Sequence, residues 1–285
     1  MAVTILTDST SYIDEMTRKD LDIKVVSLGI SFESEVMKET EIDNESFYKK
    51  MESKGIPTSS QPTVGDIFNT MKSAVEKGHQ ILGVFISSDM SGTYSTAQLA
   101  KNMVLDLYET AEIELIDSRS NSMQLGFCAI VAARAAKAGK ALLEVKEAAE
   151  EIIKRSRFLF IPENLEYLRK GGRIGGASAL IGSLLKIIPI LTVEDGKTMV
   201  LTKVRTKKNA IVTMMEKMLH EVKEFGLGEI VVHHINCYSE AMQLVDKIKE
   251  VLNVNIKICD IGPVIGLHVG PGALGIVYYT QNDLR

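Results

Sequence analysis

Gln80-Ile81-Leu82-Gly83-Val84-Phe85-Ile86-Ser87-Ser88-Asp89-Met90-Ser91-Gly92-Thr93 is the stretch on which the fold turns. Its first seven residues are an apolar run of strand length, small polar residues break it, and 93–108 has the pattern of a helix. The same grammar repeats on both sides. Upstream, 3–7 is a short apolar run followed by Asp8-Ser9-Thr10-Ser11, a helix N-cap cluster. Residues 23–32 are β-rich, and 43–54 reads as a helix ended by Gly55. Pro57-Thr58-Ser59-Ser60-Gln61-Pro62 reads as a loop because two prolines bracket small polar residues. Thr63 caps a helix to 77, closed by Gly78. Downstream, 112–116 is a strand, and 121–137 and 142–155 are helices. This βαβα rhythm predicts a mostly parallel sheet with helices on both faces.

The grammar changes near residue 158. A short strand at 158–161 and a short helix at 163–170 lead into Gly171-Gly172-Arg173-Ile174-Gly175-Gly176. Residues 178–187 read as an apolar helix stopped by Pro189. Strands at 190–193 and 198–204 flank Glu194-Asp195-Gly196-Lys197, whose Asp-Gly is a hairpin signal. Residues 207–225 carry Ile211, Met214, Met215, Met218, Leu219 and Val222 on one helical stripe. Strand, helix, strand, strand follow at 230–235, 239–252, 256–261 and 273–280. A hairpin together with crossover units implies a mixed sheet. The expected organisation is two α/β domains, 1–160 and 161–285, packed directly with a cleft between them.

Composition sets bounds. The chain has 285 residues, which suggests two domains at roughly 150 residues each. It has 33 Lys+Arg against 37 Asp+Glu, a net charge of −4, with 45% hydrophobic residues. Those values exclude a disordered or collagen-like chain. The slightly acidic balance argues against general nucleic-acid binding. The longest apolar stretches are broken by Arg134, Lys186 and Pro189, short of the ~18–20 residues a membrane span needs. The first residues form neither a basic nor an apolar leader region, so the expected location is the cytoplasm. Cys128, Cys237 and Cys259 form no CxxC pair and read as buried small hydrophobes, with no zinc site or disulfide framework.

Nucleotide motifs fail on inspection. Gly196-Lys197-Thr198 lacks the first glycine of a phosphate loop, because Leu191 stands there. Gly270-Pro271-Gly272-Ala273-Leu274-Gly275 fits GxGxxG in form, yet a strand pattern follows where a helix is needed. His233-His234 lies in a strand pattern, which sends the two rings to opposite faces. Small hydroxyls in loops remain. Ser59 and Ser60 precede a helix. The loop 87–93 lies at a strand's carboxyl end, where ligands bind in parallel sheets. Ser91 Oγ with the amides near Gly92 and Thr93 would form an anion cradle at a helix N-terminus; a plain N-cap is the structural alternative. Arg169 and Arg173 bracket tandem glycines that allow close approach; a helix C-terminus with its usual basic residues is the alternative. His268, among glycines and a proline, is expected in an irregular loop. The apolar segment 177–185 would line a cavity or fill a core. Lys203, Arg205, Lys207 and Lys208 cluster at a helix start, where basic residues oppose the dipole, which suggests a docking face.

These pieces taken in order resemble the DegV family, the fatty acid-binding subunits of bacterial fatty acid kinase. The resemblance rests on Thr7-Asp8-Ser9-Thr10-Ser11, Thr58-Ser59-Ser60-Gln61-Pro62, Ser91-Gly92-Thr93-Tyr94, Ile116-Asp117-Ser118, the run from Leu165 to Gly175, and the run from Gly262 to Gly275. It implies two α/β domains with a fatty acid in the crevice between them and no cofactor or metal. The family's carboxylate clamp maps onto Ser59, Ser91, Gly92, Arg169 and His268, with Thr58, Arg173 and Gly270 nearby. Ser59 stands where the family often has Thr and keeps the hydroxyl; Tyr12 stands where it often has Asp. The resemblance implies a carrier without catalysis of its own. It would present the acid to an ATP-dependent kinase subunit that makes acyl phosphate for phospholipid synthesis. The residues alone leave two other readings open. One is a hydrolase with Ser91 as nucleophile, His268 as base and Asp89 or Asp117 as orienter. The other is a carrier of a different anionic metabolite.

Overall fold

The computed structural model describes residues 1–33, 35–181 and 187–284. Strand β1 (Val3–Asp8) has five consecutive buried residues, as a strand covered on both faces requires. Asp8 closes it and caps a single 3-10 turn, Ser9–Ser11. Helix α1 (Glu15–Asp20) and strands β2 (Lys24–Val26), β3 (Gly29–Phe32) and β4 (Glu35–Lys38) follow. The β-rich run at 23–32 is thus two strands. At the break, Leu28 N donates to Ser9 Oγ at 3.0 Å and Leu28 O accepts from Glu39 N at 2.9 Å. Its backbone groups are satisfied outside the sheet. Helix α2 (Asn44–Lys54) is capped by Asp43 and stopped by Gly55. Then come β5 (Thr58–Ser60), α3 (Val64–Val75) capped by Thr63, β6 (Gln80–Phe85), α4 (Thr93–Leu107), β7 (Ile113–Asp117), α5 (Ser122–Lys137) and α6 (Leu142–Arg155).

The chain divides into two compact units. One comprises Met1–Glu41 and Ser59–Ile153; the other comprises Ile42–Thr58 and Lys154–Arg285. In the first, the sheet order is β2-β1-β6-β7 with every neighbour parallel. Leu6, Ile81, Phe85 and Ile113 join Ile67 and Met71 of α3 and Ala97, Ala100 and Val104 of α4 in one core. Ile5, Leu82 and Val84, at the alternating positions, are also at most 2% exposed, and α5 packs on β1 and β6. Helices therefore cover both faces, as the alternation predicts. A second, small sheet runs β4-β3-β5. The segment between the two prolines is not all loop: β5 occupies its middle and pairs as an outer strand beside β3.

In the second unit, β8 (Ser156–Ile161), α7 (Glu166–Lys170), β9 (Ile188–Glu194), β10 (Lys197–Val204), α8 (Lys207–Phe225), β11 (Leu227–His234), α9 (Tyr238–Lys249), β12 (Lys257–Asp260), α10 (Pro263–Val269) and β13 (Leu274–Thr280) follow. The sheet order is β10-β9-β8-β13-β11-β12. Only the β11–β12 pair is parallel. Asp195 (φ 47°) and Gly196 (φ 80°) both take positive φ at the β9–β10 turn, as a two-residue hairpin requires. Ala210, Met214, Met218 and Val222 of α8 pack with Leu244 and Ile248 of α9 on the sheet, so the methionine stripe is core. β8 already pairs within this sheet, and the chain, which first enters the second unit over Ile42–Thr58, returns to it at Lys154.

Two expectations change here. The apolar helix over 178–187 begins instead as a 3-10 turn, Gly175–Leu180, in which Ala177 and Leu180 are buried; residues 182–186 lie outside the described set. The glycine-rich segment around His268 is a helix, not an irregular loop. Pro263 sits in the first turn of α10, where its fixed φ suits a helix, and Gly270 ends it. Gly266 makes room for a neighbour, since a Cβ there would lie 2.0 Å from Tyr48 Oη of α2.

Candidate functional site

In the first unit the carboxyl ends of β1, β6 and β7 bring together Asp8, the loop 86–92 and Asp117. Asp8 is fully buried. Its Oδ2 accepts from Ile86 N at 2.8 Å and its Oδ1 from Thr10 N at 3.0 Å and Thr10 Oγ1 at 2.5 Å. Burial outweighs these donors and raises its pKa to about 6. Ser87 O accepts from Ser91 N at 3.0 Å, closing the loop into a turn. Ser91 Oγ lies 2.9 Å from Thr93 Oγ1 and accepts from Thr93 N at 3.3 Å. Ser91 thus acts in part as the structural cap, but the helix boundary residue is Gly92, which has no side-chain cap bond. Hydroxyls of Ser91 and Thr93 stand at the positive end of a 15-residue helix.

Gln61 joins this site without having been marked by the sequence reading. Its Nε2 donates to Thr96 Oγ1 at 2.8 Å, and Thr96 Oγ1 donates to Gly92 O at 3.1 Å. A Cβ at Gly92 would lie 2.2 Å from Gln61 Oε1, so a side chain there would push the Gln61 amide from this place. Ser59, half-buried in β5, is two residues from this contact. Arg119, also unmarked, bonds Asp89 at 2.5 Å, Asp117 at 3.3 Å and Ser88 Oγ at 3.1 Å. Asp89 and Asp117 are therefore engaged by a guanidinium.

In the second unit Arg169, Arg173, His268 and Gly270 converge around α7 and α10. Arg169 is exposed and binds Glu166 in a two-point fork, Nε to Oε2 at 3.0 Å and Nη2 to Oε1 at 2.7 Å. Arg173 Nη1 donates to Gly171 O at 2.7 Å. Gly171 admits the imidazole of His268: a Cβ there would lie 2.2 Å from Nδ1. Burial first, and the charge of Arg173 second, lower the His268 pKa to about 4. It is a neutral hydrogen-bonding group at physiological pH. Gly270 (φ 89°) lies against the ring of Tyr167, and Thr58 is exposed. A groove of about 320 Å³ is lined on one side by Leu165, Leu180, Ile181, Ile187 and Ile188 and on its polar side by Glu163, Asn164, Glu166 and Arg169.

Lys207 differs from its three basic neighbours. It bridges Glu163 at 3.0 Å and Glu240 at 2.8 Å, so local ion pairs account for its place in the first turn of α8. Lys203, Arg205 and Lys208 are exposed. Gly275 of the GxGxxG match lies inside β13, which follows that segment in place of a phosphate-facing helix. Among the described residues, no helix is long and apolar enough to cross a membrane, and no three His, Cys, Asp or Glu group to hold a metal.

Known proteins align with this chain over nearly its whole length. A DegV domain-containing protein of Clostridium acetobutylicum is 61% identical over 285 residues, all of both chains. A solved structure described as DegV, a fatty acid binding protein from Bacillus subtilis, is 31% identical, with a TM-score of 0.86 over 98% of this chain and 99% of that one. A structure from Thermus thermophilus, described as fatty acid binding of a DegV family protein, is 27% identical, with a TM-score of 0.87 over 98% of this chain and 100% of that one. The family model described as "Uncharacterised protein, DegV family" matches residues 2–281, and the chain belongs to the DegV family.

Proposed function

We propose that this protein binds a long-chain fatty acid and holds its carboxylate on the hydroxyl cradle of Ser91 and the α4 N-terminus. The observation that carries the reading is this cradle at the carboxyl end of a parallel sheet, in a chain 31% identical to a protein described as fatty acid binding. In the clamp implied by the resemblance, Ser59, Arg169 or Arg173, and His268 join Ser91. Each charge-assisted hydrogen bond contributes about 1.5–3 kcal/mol. A buried tail contributes roughly 0.8 kcal/mol per methylene, on the order of 10 kcal/mol gross for about sixteen carbons before ordering costs. The tail supplies most of the affinity, and the cradle fixes which end it holds. The aliphatic side of the groove beside Arg169 is the candidate for part of the tail path.

The carboxylate's fate is part of the same proposal. The protein presents it, in the cytoplasm, to a separate ATP-dependent kinase subunit. Transfer of the terminal phosphoryl group gives an acyl phosphate for phospholipid synthesis, and this protein supplies no catalytic residue. Lys203, Arg205 and Lys208 form the docking face for an acidic patch on that subunit, with Lys207 holding the helix start in place.

Lipid extraction and mass spectrometry of the purified protein test the binding. We expect a stoichiometric fatty acid, restored after delipidation by oleate or palmitate. Protein that is always empty and takes up neither acid refutes it. Charge reversal at Lys203, Arg205 and Lys208 is expected to reduce kinase-coupled turnover with lipid binding intact; unchanged turnover refutes the docking face alone.

A further inference from the structure

The carboxyl ends of β11 and β12 carry a groove of about 640 Å³ within the second unit, which the fatty acid reading does not use. The two strands run parallel with His234 paired beside Asp260, so both side chains leave the same face of the sheet. His234 is 5% exposed and forms part of the groove wall. Its Nδ1 is wholly buried and makes no hydrogen bond, and Asp260 Oδ1 stands 3.5 Å away. Asn44 Nδ2 fixes the other carboxylate oxygen at 2.8 Å. Tyr238, the first residue of α9, meets the imidazole edge-on at 5.6 Å and is itself 57% exposed.

These facts define the chemistry of an occupant. Burial lowers the His234 pKa against the opposing pull of Asp260, so the ring is neutral at physiological pH. Nδ1 faces the Asp260 carboxylate at 3.5 Å, which favours the tautomer with its proton on Nδ1 and leaves Nε2 as an acceptor. Lys49 is neutralised by Glu45 at 2.6 Å, and Asp260 and Glu52 leave the groove negative. An anion is disfavoured by that excess. Among the described residues no three ligands group for a metal ion. An exposed aromatic ring beside carboxylates suits an organic cation, whose charge is attracted to the ring face.

We propose that this groove binds a small organic cation carrying a primary alkylammonium group. Its N–H donors meet Asp260 and His234 Nε2, and its charged end lies against the face of the Tyr238 ring. The site is independent of the fatty acid cradle, so either reading can fail alone.

The test titrates n-butylammonium chloride into the full chain and follows the ring nitrogens of His234 by NMR, with sodium chloride at matched ionic strength as control. The expected result is a saturable His234 shift that the salt does not reproduce. Asp260→Asn and Tyr238→Ala should each weaken it roughly tenfold, the loss of one charge-assisted or cation–π contact. Tyr238→Ala changes an exposed position, so it carries the comparison if Asp260→Asn does not fold. No shift beyond the salt control overturns the proposal. So does an equal shift in wild type and variant, or a saturable shift produced by sodium phosphate instead.

Discussion

Replacing Asp8 by asparagine removes a carboxyl that is fully buried and whose pKa is raised from 3.8 to about 6, chiefly by desolvation. The native state then binds the Asp8 proton more tightly than the unfolded chain does. This contribution to stability is fully present below pH 3.8 and is lost as pH rises through 6. A difference of 6 against 3.8 corresponds to about 3 kcal/mol at 1.36 kcal/mol per pH unit. Between about pH 4 and about pH 7.5, roughly 2–3 kcal/mol of it is read out. Urea unfolding of wild type and Asp8→Asn at those two pH values gives the measurement. Wild type should lose that much relative to the variant on going to the higher pH, because other titrating groups cancel in the difference. The Asp8 carboxyl carbon, followed by NMR, should titrate with a midpoint near 6. Parallel stabilities at both pH values, or a midpoint near 4, refute the argument. The consequence reaches the site because Asp8 holds Ile86 N, the residue after β6 and before the Ser91 turn.

Three further outcomes follow from packing and charge. Gly92→Ala should weaken fatty acid retention several-fold with the fold intact, because its Cβ would displace the Gln61 amide that ties β5's exit to α4; unchanged retention on delipidated, reloaded protein counts against that tie. Arg157→Met should cost about 1–3 kcal/mol in urea unfolding, since it strips the guanidinium from the buried Glu221 carboxylate and leaves it Lys217 and Tyr278, and Glu221→Gln in the same chain should recover part of the loss. His233→Leu should stabilise the protein at neutral pH by about 1–3 kcal/mol, because both ring nitrogens are buried without hydrogen bonds. It should also flatten acid unfolding. Burial depresses the wild-type His233 pKa to about 3, so its contribution is present above pH 6.5 and is lost as pH falls toward 3.

The elements that were legible from sequence are those whose own side chains dictate them. α8 runs from Lys207 to Phe225, the span its methionine stripe predicts, and the β9–β10 turn follows from Asp195-Gly196. Features set by distant partners were not legible. β5 looked like loop because only its pairing with β3 makes it a strand. α10 looked irregular because its glycines read as turn signals, whereas Gly266 makes room for Tyr48, more than 200 positions away. The cradle's hydroxyls were visible as residue types. Gln61 and Arg119 were not, since a polar side chain carries no periodic signal of the backbone it braces. Asp8 was seen only as a cap; nothing local says that its second oxygen is claimed by Ile86.

Charge allocation in the second unit separates two arginines that motif matching left equivalent. Arg169 directs two of its nitrogens at Glu166, and both side chains are about half exposed, so this pair is a solvated fork whose field is largely cancelled. Arg173 instead donates to a neutral carbonyl, and its charge reaches the His268 imidazole, adding to burial in holding that ring neutral. Of the two cations, Arg173 is the one electrostatically coupled to His268. Arg173→Gln should therefore raise the His268 pKa from about 4 without bringing it to the free value, because burial is the larger cause. Arg169→Gln should leave it in place. The His268 ring carbon resonance followed through acid titration reads both variants. Equal midpoints in the two would mean that the guanidinium of Arg173 does not face His268, and the clamp's cation would have to be sought at Arg169 after all.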